Sequence, residues 1–250
     1  MRDFKNQKVV ITGGTSGIGL ATAKKFIEGG AEVLVTGRNK QKLEKVKEEL
    51  GSSIMVLQSD VSNLDDINKL RDKVSESWQK FDILFANAGV AINNSMGVTS
   101  EEFFSNTFNI NVRGVFFCVE KLASLINDGG SIVLTGSIVG NKGMPDLSLY
   151  NASKAAVRSF SRSWANDLKS RNIRVNTVSP GVTETPIFKT GLDMSDEDIN
   201  GFKDFLREAS PIGRMGKPEE IADSVLFLSS GQASYINGIE LSVDGGFAQV

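Results

Sequence analysis

Seven short runs of the chain are apolar almost without interruption: 8–14 (KVVITGG), 32–38 (EVLVTGR), 53–61 (SIMVLQSDV), 82–90 (DILFANAGV), 130–138 (GSIVLTGSI), 174–181 (RVNTVSPG) and 238–246 (GIELSVDGG). A strand with one wet face alternates apolar and polar residues, whereas a strand covered on both faces does not. These runs therefore predict a parallel sheet buried on both sides. Between them apolar residues recur at helical spacing, as Leu64, Ile67, Leu70 and Val74 do. Helices are predicted over 17–28, 40–50, 64–80, 101–125, 150–169 and 219–229, the last just after Pro218, a residue common at helix starts. Strands alternate with helices over all 250 residues, with no linker, composition break or repeat. The prediction is one doubly wound α/β domain spanning 1–250. Only 183–217 breaks the rhythm: it holds no clear strand, carries Pro186, Gly191, Gly201 and Pro211, and has one helical piece from Asp196 to Glu208. An excursion of that length between core elements is expected to be a lid over a site.

Composition narrows the partners. Apolar residues are 40% and charged residues 23% of the chain, as in ordinary globular proteins, and the formal net charge is −2. With no basic stripe, no nucleic-acid partner is expected. No 18-residue apolar stretch exists, so no membrane span is expected. The start, MRDFKNQKVV, lacks the apolar core of a secretory signal. The single cysteine, Cys118, lies in the apolar run GVFFCVEKLA and reads as a buried structural thiol. That usage fits a reducing compartment, and a cytoplasmic location is expected. No metal centre is expected.

The chemistry begins at the first strand, which runs into Thr12-Gly13-Gly14-Thr15-Ser16-Gly17-Ile18-Gly19 and then a helix. Glycines permit a tight turn and close backbone approach, and a helix N-terminus offers unpaired N–H groups to a diphosphate. A lysine-bearing phosphate loop is excluded, because no lysine follows Gly19. The second strand ends Gly37-Arg38-Asn39, with no carboxylate to take the ribose 2′-hydroxyl of NAD. The Arg38 guanidinium suits a 2′-phosphate, so NADP(H) is favoured over NAD(H). Asp60-Val61 and Asn87-Ala88-Gly89 stand at the ends of the third and fourth strands, on the edge where such sheets bind ligands. Asp60 can accept from an adenine amino group or begin a helix; either role suits it.

The chain has no histidine, the usual proton carrier near neutral pH. Tyr150 and Lys154 stand four apart in a predicted helix and so share a face. A free phenol titrates near 10, and a nearby ammonium favours the phenolate. Such a pair can exchange protons without histidine, and the expectation is that Lys154 lowers the Tyr150 pKa. Ser137 follows an apolar strand at the same sheet edge, where its hydroxyl can donate to a substrate carbonyl.

Taken together, TGxxxGIG at 12–19, Asn87-Ala88-Gly89, Asn111 within 109–114, Ser137, the YxxxK pair and Pro180-Gly181 with Thr185 resemble the short-chain dehydrogenase/reductase family over nearly the whole chain. The resemblance implies a Rossmann-type fold of seven parallel strands flanked by helices, with 184–210 as a substrate-side flap. It implies an oxidoreductase passing a hydride between nicotinamide and a ketone or aldehyde carbonyl, or the corresponding alcohol. Tyr150 would be the acid in reduction and the base in oxidation, Ser137 would polarise the carbonyl, Lys154 would hold the nicotinamide ribose, and Asn111 would anchor a water of the proton relay. Gly13, Thr15, Ser16, Gly17, Ile18 and Gly19 would line the diphosphate, with Arg38, Asn39, Asp60, Val61, Asn87, Ala88 and Gly89 toward the adenosine. Pro180, Gly181, Val182 and Thr185 would flank the nicotinamide. Two departures stand out. Ala86 replaces a common asparagine, and Ser16 stands where some NADP-using members carry a basic residue.

The substrate pocket is then expected from Ile138, Val139, Met144, Pro145, Val182, Thr183, Ile187 and Phe188. It is mostly apolar, and no arginine or lysine is placed for a carboxylate, though Lys142 is close in sequence, which favours an uncharged ketone, aldehyde or secondary alcohol. Residues 210–220 are similar to both 3-oxoacyl-(acyl carrier protein) reductases and sugar or alcohol dehydrogenases, and do not choose between them. Aromatics at 103, 104, 108, 116, 117, 160 and 164 suggest helix packing between subunits, and the resemblance favours a homotetramer. Two rival classes are a non-catalytic dinucleotide sensor, which would be expected to lose Ser137, Tyr150 or Lys154, and an epimerase or dehydratase, usually longer and with a different glycine motif.

Overall fold

The computed structural model describes residues 3–250. Seven strands, β1 (Lys8–Thr12), β2 (Glu32–Gly37), β3 (Ile54–Gln58), β4 (Phe81–Ala86), β5 (Ile126–Thr135), β6 (Arg174–Pro180) and β7 (Glu240–Val243), form one sheet in the order β3-β2-β1-β4-β5-β6-β7. Every neighbouring pair is parallel. The strand order reverses beside β1, between β1 and β4, and that reversal opens a crevice at the carboxyl edge.

The continuous apolar runs have the predicted cause. Val9, Ile11, Val33, Val35, Ile83 and Phe85 face one layer, with Ala23 and Phe26 of helix α1 (Gly17–Glu28) and Ile221 and Val225 of α9 (Pro218–Ser229). Their alternates Val10, Leu34, Leu84, Ile132 and Leu134 face the other, with Leu70 and Val74 of α3 (Leu64–Trp78), Val115 and Val119 of α5 (Val115–Leu122) and Val157 of α6 (Ser148–Asp167). The remaining helices are α2 (Lys40–Leu50), α4 (Glu101–Phe108), α7 (Ile187–Thr190) and α8 (Asp196–Ala209).

Several boundaries differ from the sequence pattern. Helix α3 stops at Trp78 because Gln79 turns to φ +61°. Pairing of β5 starts at Ile126, four residues early, and its register slips between Phe81 and Ile83. The helix expected over 101–125 is broken by a π-helical turn at Asn109–Gly114. There Asn111 is wholly buried, and its amide bonds both the N–H and the carbonyl of Val90 at 2.8 Å. Gly114 lies so close to Val61 that an added Cβ would stand 2.8 Å from its carbonyl oxygen. Seating the polar side chain of Asn111 under the β4 loop thus coincides with a widened turn. The excursion after β6 carries α7 and α8 and no strand, and the second helix closely matches its predicted span.

Candidate active site

A cleft of about 690 Å³ runs along the carboxyl edge of the sheet, from Arg38 and Lys42 at one end to Met194, Phe202 and Phe247 at the other. The glycine turn lies along its floor. Gly13 has φ +68° and packs on Ala88, whose Cα would be 2.9 Å from a Cβ at that position; Gly17 has φ +51° and lies against Thr185. Ser16 is the N-cap of α1, yet its side chain makes no capping bond and no acidic residue occupies the first turn. The positive helix end therefore faces the cleft unneutralised. At the β2–β3 end, the buried hydroxyls of Thr36 and Ser59 line the cleft and have no hydrogen-bond partner within the protein. A long groove with free amide donors at its middle and unpaired hydroxyls at one end fits a dinucleotide.

Most of the predicted cofactor residues line this cleft: Gly13, Thr15, Ser16, Gly17, Ile18, Arg38, Asn39, Asp60, Val61, Asn87, Ala88, Gly89, Pro180, Gly181, Val182 and Thr185. Gly19 does not. It is buried inside α1, where a Cβ would stand 2.3 Å from the Gly13 carbonyl oxygen, so it serves close packing of the turn on the helix. The Asn87 amide donates to the carbonyls of Thr12 and Gly13 at 3.1 Å each and clamps the turn from β4. Asn39 caps α2 by accepting from the Lys42 N–H at 3.0 Å. The Asp60 carboxylate accepts from both the N–H and hydroxyl of Ser62, and stands 3.9 Å from the Arg38 guanidinium; Asn63, not Asp60, caps α3.

The catalytic candidates converge from three elements. Ser137 follows β5 and caps a short 3₁₀ turn, while Tyr150 and Lys154 occupy the first two turns of α6. The Ser137 hydroxyl stands beside the Tyr150 phenol, close enough to favour its phenolate. The Lys154 ammonium donates to the Thr135 carbonyl at 2.9 Å and sits 5.6 Å from the centroid of the Tyr150 ring. Asn111 lies one layer behind. It lines no part of the cleft, and both its amide hydrogens are taken, by the Val90 carbonyl and the Ser153 hydroxyl. Gly89 separates it from Lys154: a Cβ there would stand 3.2 Å from Asn111 Oδ1 and 3.4 Å from Lys154 Nζ.

The electrostatics differ from the sequence expectation. Burial pushes the Tyr150 phenol above its ordinary value, and the neighbouring Ser137 hydroxyl opposes that in part. The Lys154 ammonium donates to the Thr135 carbonyl beneath the ring, and burial sets the net direction of the Tyr150 shift. Lys154 is itself drawn down to about 8 by burial.

Beyond Tyr150 the walls are apolar. Ile138, Val139, Met144, Val182, Ile187 and Phe188 are there as predicted, with Thr183. Pro145 is not; it is exposed on the turn outside, where Asp146 takes φ +56°. Lys142 points to the Phe247 carbonyl and ring and also stays outside the lining. The pattern missed Ala91, Asn93, Leu147, Leu192, Met194, Phe202 and Phe247, which complete this end. Leu192, Met194 and Phe202 are apolar residues of the excursion, but so are Ile199, Phe205, Leu206 and Ile212, so no signal in the sequence singled them out.

Among the described residues, no His, Cys, Asp and Glu group could hold a metal ion, and no helix is long and apolar enough to cross a membrane.

Comparison with known proteins agrees with this geometry. The family described as enoyl-(acyl carrier protein) reductase matches residues 13–248. An oxidoreductase of Sarocladium schorii is 40% identical over 243 residues, covering 96% of this chain and 95% of its own. An NADP-dependent (R)-specific alcohol dehydrogenase of Lentilactobacillus kefiri is 36% identical over 253 residues, covering 98% and 97%. The crystal structure of a 3-ketoacyl-(acyl-carrier-protein) reductase from Brucella melitensis, complexed with NADH, superposes with a TM-score of 0.90 at 31% identity, covering 98% of this chain and 100% of that one. The glycine turn, the adjacent Ser137 and Tyr150 and the adjoining Lys154 thus have their setting: the chain belongs to the short-chain dehydrogenase/reductase family, oxidoreductases acting on alcohol and ketone groups.

Proposed function

We propose that this protein is an NADP(H)-dependent reductase of uncharged ketones or aldehydes, or a dehydrogenase of the corresponding secondary alcohols, built as one domain with 184–210 as its substrate-side flap. The observation that carries it is the convergence of Ser137 and Tyr150 on one apolar chamber, with Lys154 beneath the tyrosine ring.

A bound nicotinamide dinucleotide supplies or accepts the hydride. The chain's own residues do the rest. Ser137 and Tyr150 present two hydroxyls to one point, where a carbonyl oxygen gains negative charge during reduction. Preorganised donors at such a point are the largest lever a site of this kind has. Tyr150 keeps its proton at neutral pH, since burial raises its pKa, and so can give it up to the developing alkoxide. Lys154 keeps an ammonium beneath the tyrosine and offers donors to a ribose. Arg38 and Lys42 are the two cations at the far end of the cleft and suit a 2′-phosphate.

The substrate half holds no arginine, and no lysine but Lys154. A carboxylate or phosphate on the substrate would lose its hydration there with no partner, at a cost of several kcal/mol. That supports a neutral substrate. NADP(H) is also the cofactor named for the Lentilactobacillus kefiri relative. The NADH bound by the Brucella melitensis structure, and the Asp60 carboxylate beside Arg38, support an NAD(H)-dependent alcohol or sugar dehydrogenase as the second reading. We further propose a cytoplasmic homotetramer, with Phe116, Phe160 and Trp164, which pack together on the outer side of α5 and α6, at a subunit contact.

The test is to follow reduced-nicotinamide absorbance with NADPH and NADH against small ketones, diketones, aldehydes and a 3-oxoacyl thioester, and with alcohols and sugars in reverse. NADPH oxidation by a neutral ketone is the expected result. Turnover confined to NADH or NAD overturns the cofactor assignment. Cofactor binding with no turnover overturns the enzyme reading in favour of a sensor.

A further inference from the structure

Helix α6 carries Tyr150 and Lys154, yet it begins without a cap of its own: Leu147 stands at the N-cap position and supplies no side-chain bond. A helix start leaves its first N–H groups unpaired, and an uncapped one frays. The missing acceptor comes from another part of the chain. Asn94 lies in the loop after β4, and its Oδ1 accepts from the N–H of Leu149 at 3.1 Å. Its Nδ2 donates to the Ser148 hydroxyl at 2.8 Å and reaches Thr99 Oγ1 at 3.3 Å. Its own N–H donates to the Asp146 carbonyl at 2.6 Å, and the same residue forms an isolated parallel bridge with Leu147. Asn94 is only 8% exposed, so its amide is committed to these partners.

We infer that Asn94 is a positioning residue of this enzyme: it caps the catalytic helix from a separate loop and so fixes where the Tyr150 hydroxyl stands relative to Ser137. The inference rests on the proposed oxidoreductase activity. Its physical basis is that Tyr150 immediately follows the capped Leu149, in the first turn, where fraying moves a side chain most. Ser137 is held by a different element, the end of β5. In the first turn only the approach of Tyr150 to Ser137 itself links α6 to that strand, and Lys154 adds a second link one turn later, through Thr135. The neighbouring Asn93 faces the other way, its Nδ2 donating to the Leu192 carbonyl of the flap at 3.1 Å. Residues 93–94 therefore join flap and catalytic helix across the mouth of the cleft.

The experiment compares wild type, Asn94→Ala and Asn94→Asp for kcat, cofactor Kd and thermal unfolding, with whichever carbonyl the wild type reduces. Misplacement of a reacting group by about 1 Å costs up to about 100-fold, so Asn94→Ala should lower kcat about 30-fold while cofactor Kd changes little. Asn94→Asp keeps an acceptor for Leu149 at a positive helix end and should recover kcat to within about 3-fold. A merely structural cap would lower the unfolding temperature and leave kcat per folded molecule unchanged; that result overturns the inference, as does a loss that aspartate fails to rescue. If Asn94→Ala does not fold, Asn94→Ser, a shorter acceptor, gives the same comparison in milder form. Wild-type protein that binds cofactor but turns over no carbonyl or alcohol overturns the activity and this inference with it, whereas an active wild type with an unaffected variant overturns the inference alone.

Discussion

The ammonium of Lys154 donates to the main-chain carbonyl of Thr135 at 2.9 Å, two residues before Ser137, so one bond ties the catalytic helix to the strand that presents the serine. The same lysine is only 4% exposed, and burial draws its pKa from 10.5 to about 8. A lowered lysine pKa opposes folding. The penalty is full below about 8, where the folded state must hold a buried ammonium. Between 8 and 10.5 the unfolded state binds more protons, so stability rises with pH across that window. The drop corresponds to roughly 3 kcal/mol, partly offset by the bond to Thr135. Lys154→Met should therefore raise the unfolding temperature by about 5 °C at pH 7 and by much less at pH 10. It should also lower turnover about 100-fold or more. Thermal unfolding at the two pH values checks this; a Tm that falls at pH 7 would refute it.

Tyr150 sets the pH dependence of turnover. Its phenol is pushed above the ordinary value by burial. In the reduction direction it stays protonated throughout the neutral range, so the rate should be flat from about pH 6 to 7.5. The rate should then decline as Lys154 loses its proton near 8. Alcohol oxidation needs the phenolate and should rise with pH through the same range. Tyr150→Phe should lower turnover by about 10²- to 10⁴-fold in both directions and leave cofactor Kd within about 2-fold. Reduction that climbs with pH, or a phenylalanine variant that keeps most activity, would remove Tyr150 from its role.

The sheet was legible in the sequence because burial on both faces leaves a mark that survives without structure. Val9-Val10-Ile11 and Val33-Leu34-Val35 send alternate side chains to opposite layers, so every position is apolar. Five helices (α1, α2, α3, α6 and α9) were placed closely for the same kind of reason: their apolar stripe faces that sheet. The π turn at 109–114 was not legible, since it follows from a contact between Asn111 and Val90 that no local pattern encodes. Nor was Asn94, whose partner Leu149 is 55 residues away. Spacing found Tyr150 and Lys154, because four residues on a helix fix a shared face. It could not give the direction of the Tyr150 shift, which depends on where the ammonium points and how deeply the phenol is packed. Gly19 and Pro145 sit beside true lining residues, and only the backbone path shows that one turns into α1 and the other outward.

Arg38 tests the cofactor assignment. It is exposed, lines the cleft and stands 3.9 Å from the Asp60 carboxylate, close enough to be oriented but far too loosely held to be neutralised. An exposed guanidinium with a forked donor set is free to meet a 2′-phosphate. Arg38→Ala should raise the NADPH dissociation constant about 10- to 100-fold and the NADH constant less than about 2-fold. Titration of intrinsic fluorescence with each dinucleotide measures both. Equal weakening of the two would mean that Arg38 only shapes the loop.

The flap contacts the opposite lip of the cleft through backbone. At Gly191, just after α7, an added Cβ would stand 2.3 Å from the Ala91 carbonyl oxygen, closer than real contacts allow. Backbone cannot swing aside as a lysine tip can, so Gly191→Ala must push the two lips apart. Asn93→Ala removes the one side-chain bond seen between them, to the Leu192 carbonyl, without adding bulk. Ala91, Asn93 and Leu192 all line the substrate half, whereas the dinucleotide end lies beyond Tyr150. Lid contacts of this kind govern substrate retention more than cofactor affinity. Gly191→Ala should therefore raise the substrate KM about 10-fold and Asn93→Ala about 3-fold, with cofactor Kd unchanged. The order matters, because the glycine variant forces separation while the asparagine variant only permits it. Steady-state kinetics at saturating cofactor would show it. An unchanged KM in the glycine variant would mean that the flap already stands open in solution, and that its contact with Ala91 plays no part in holding the substrate.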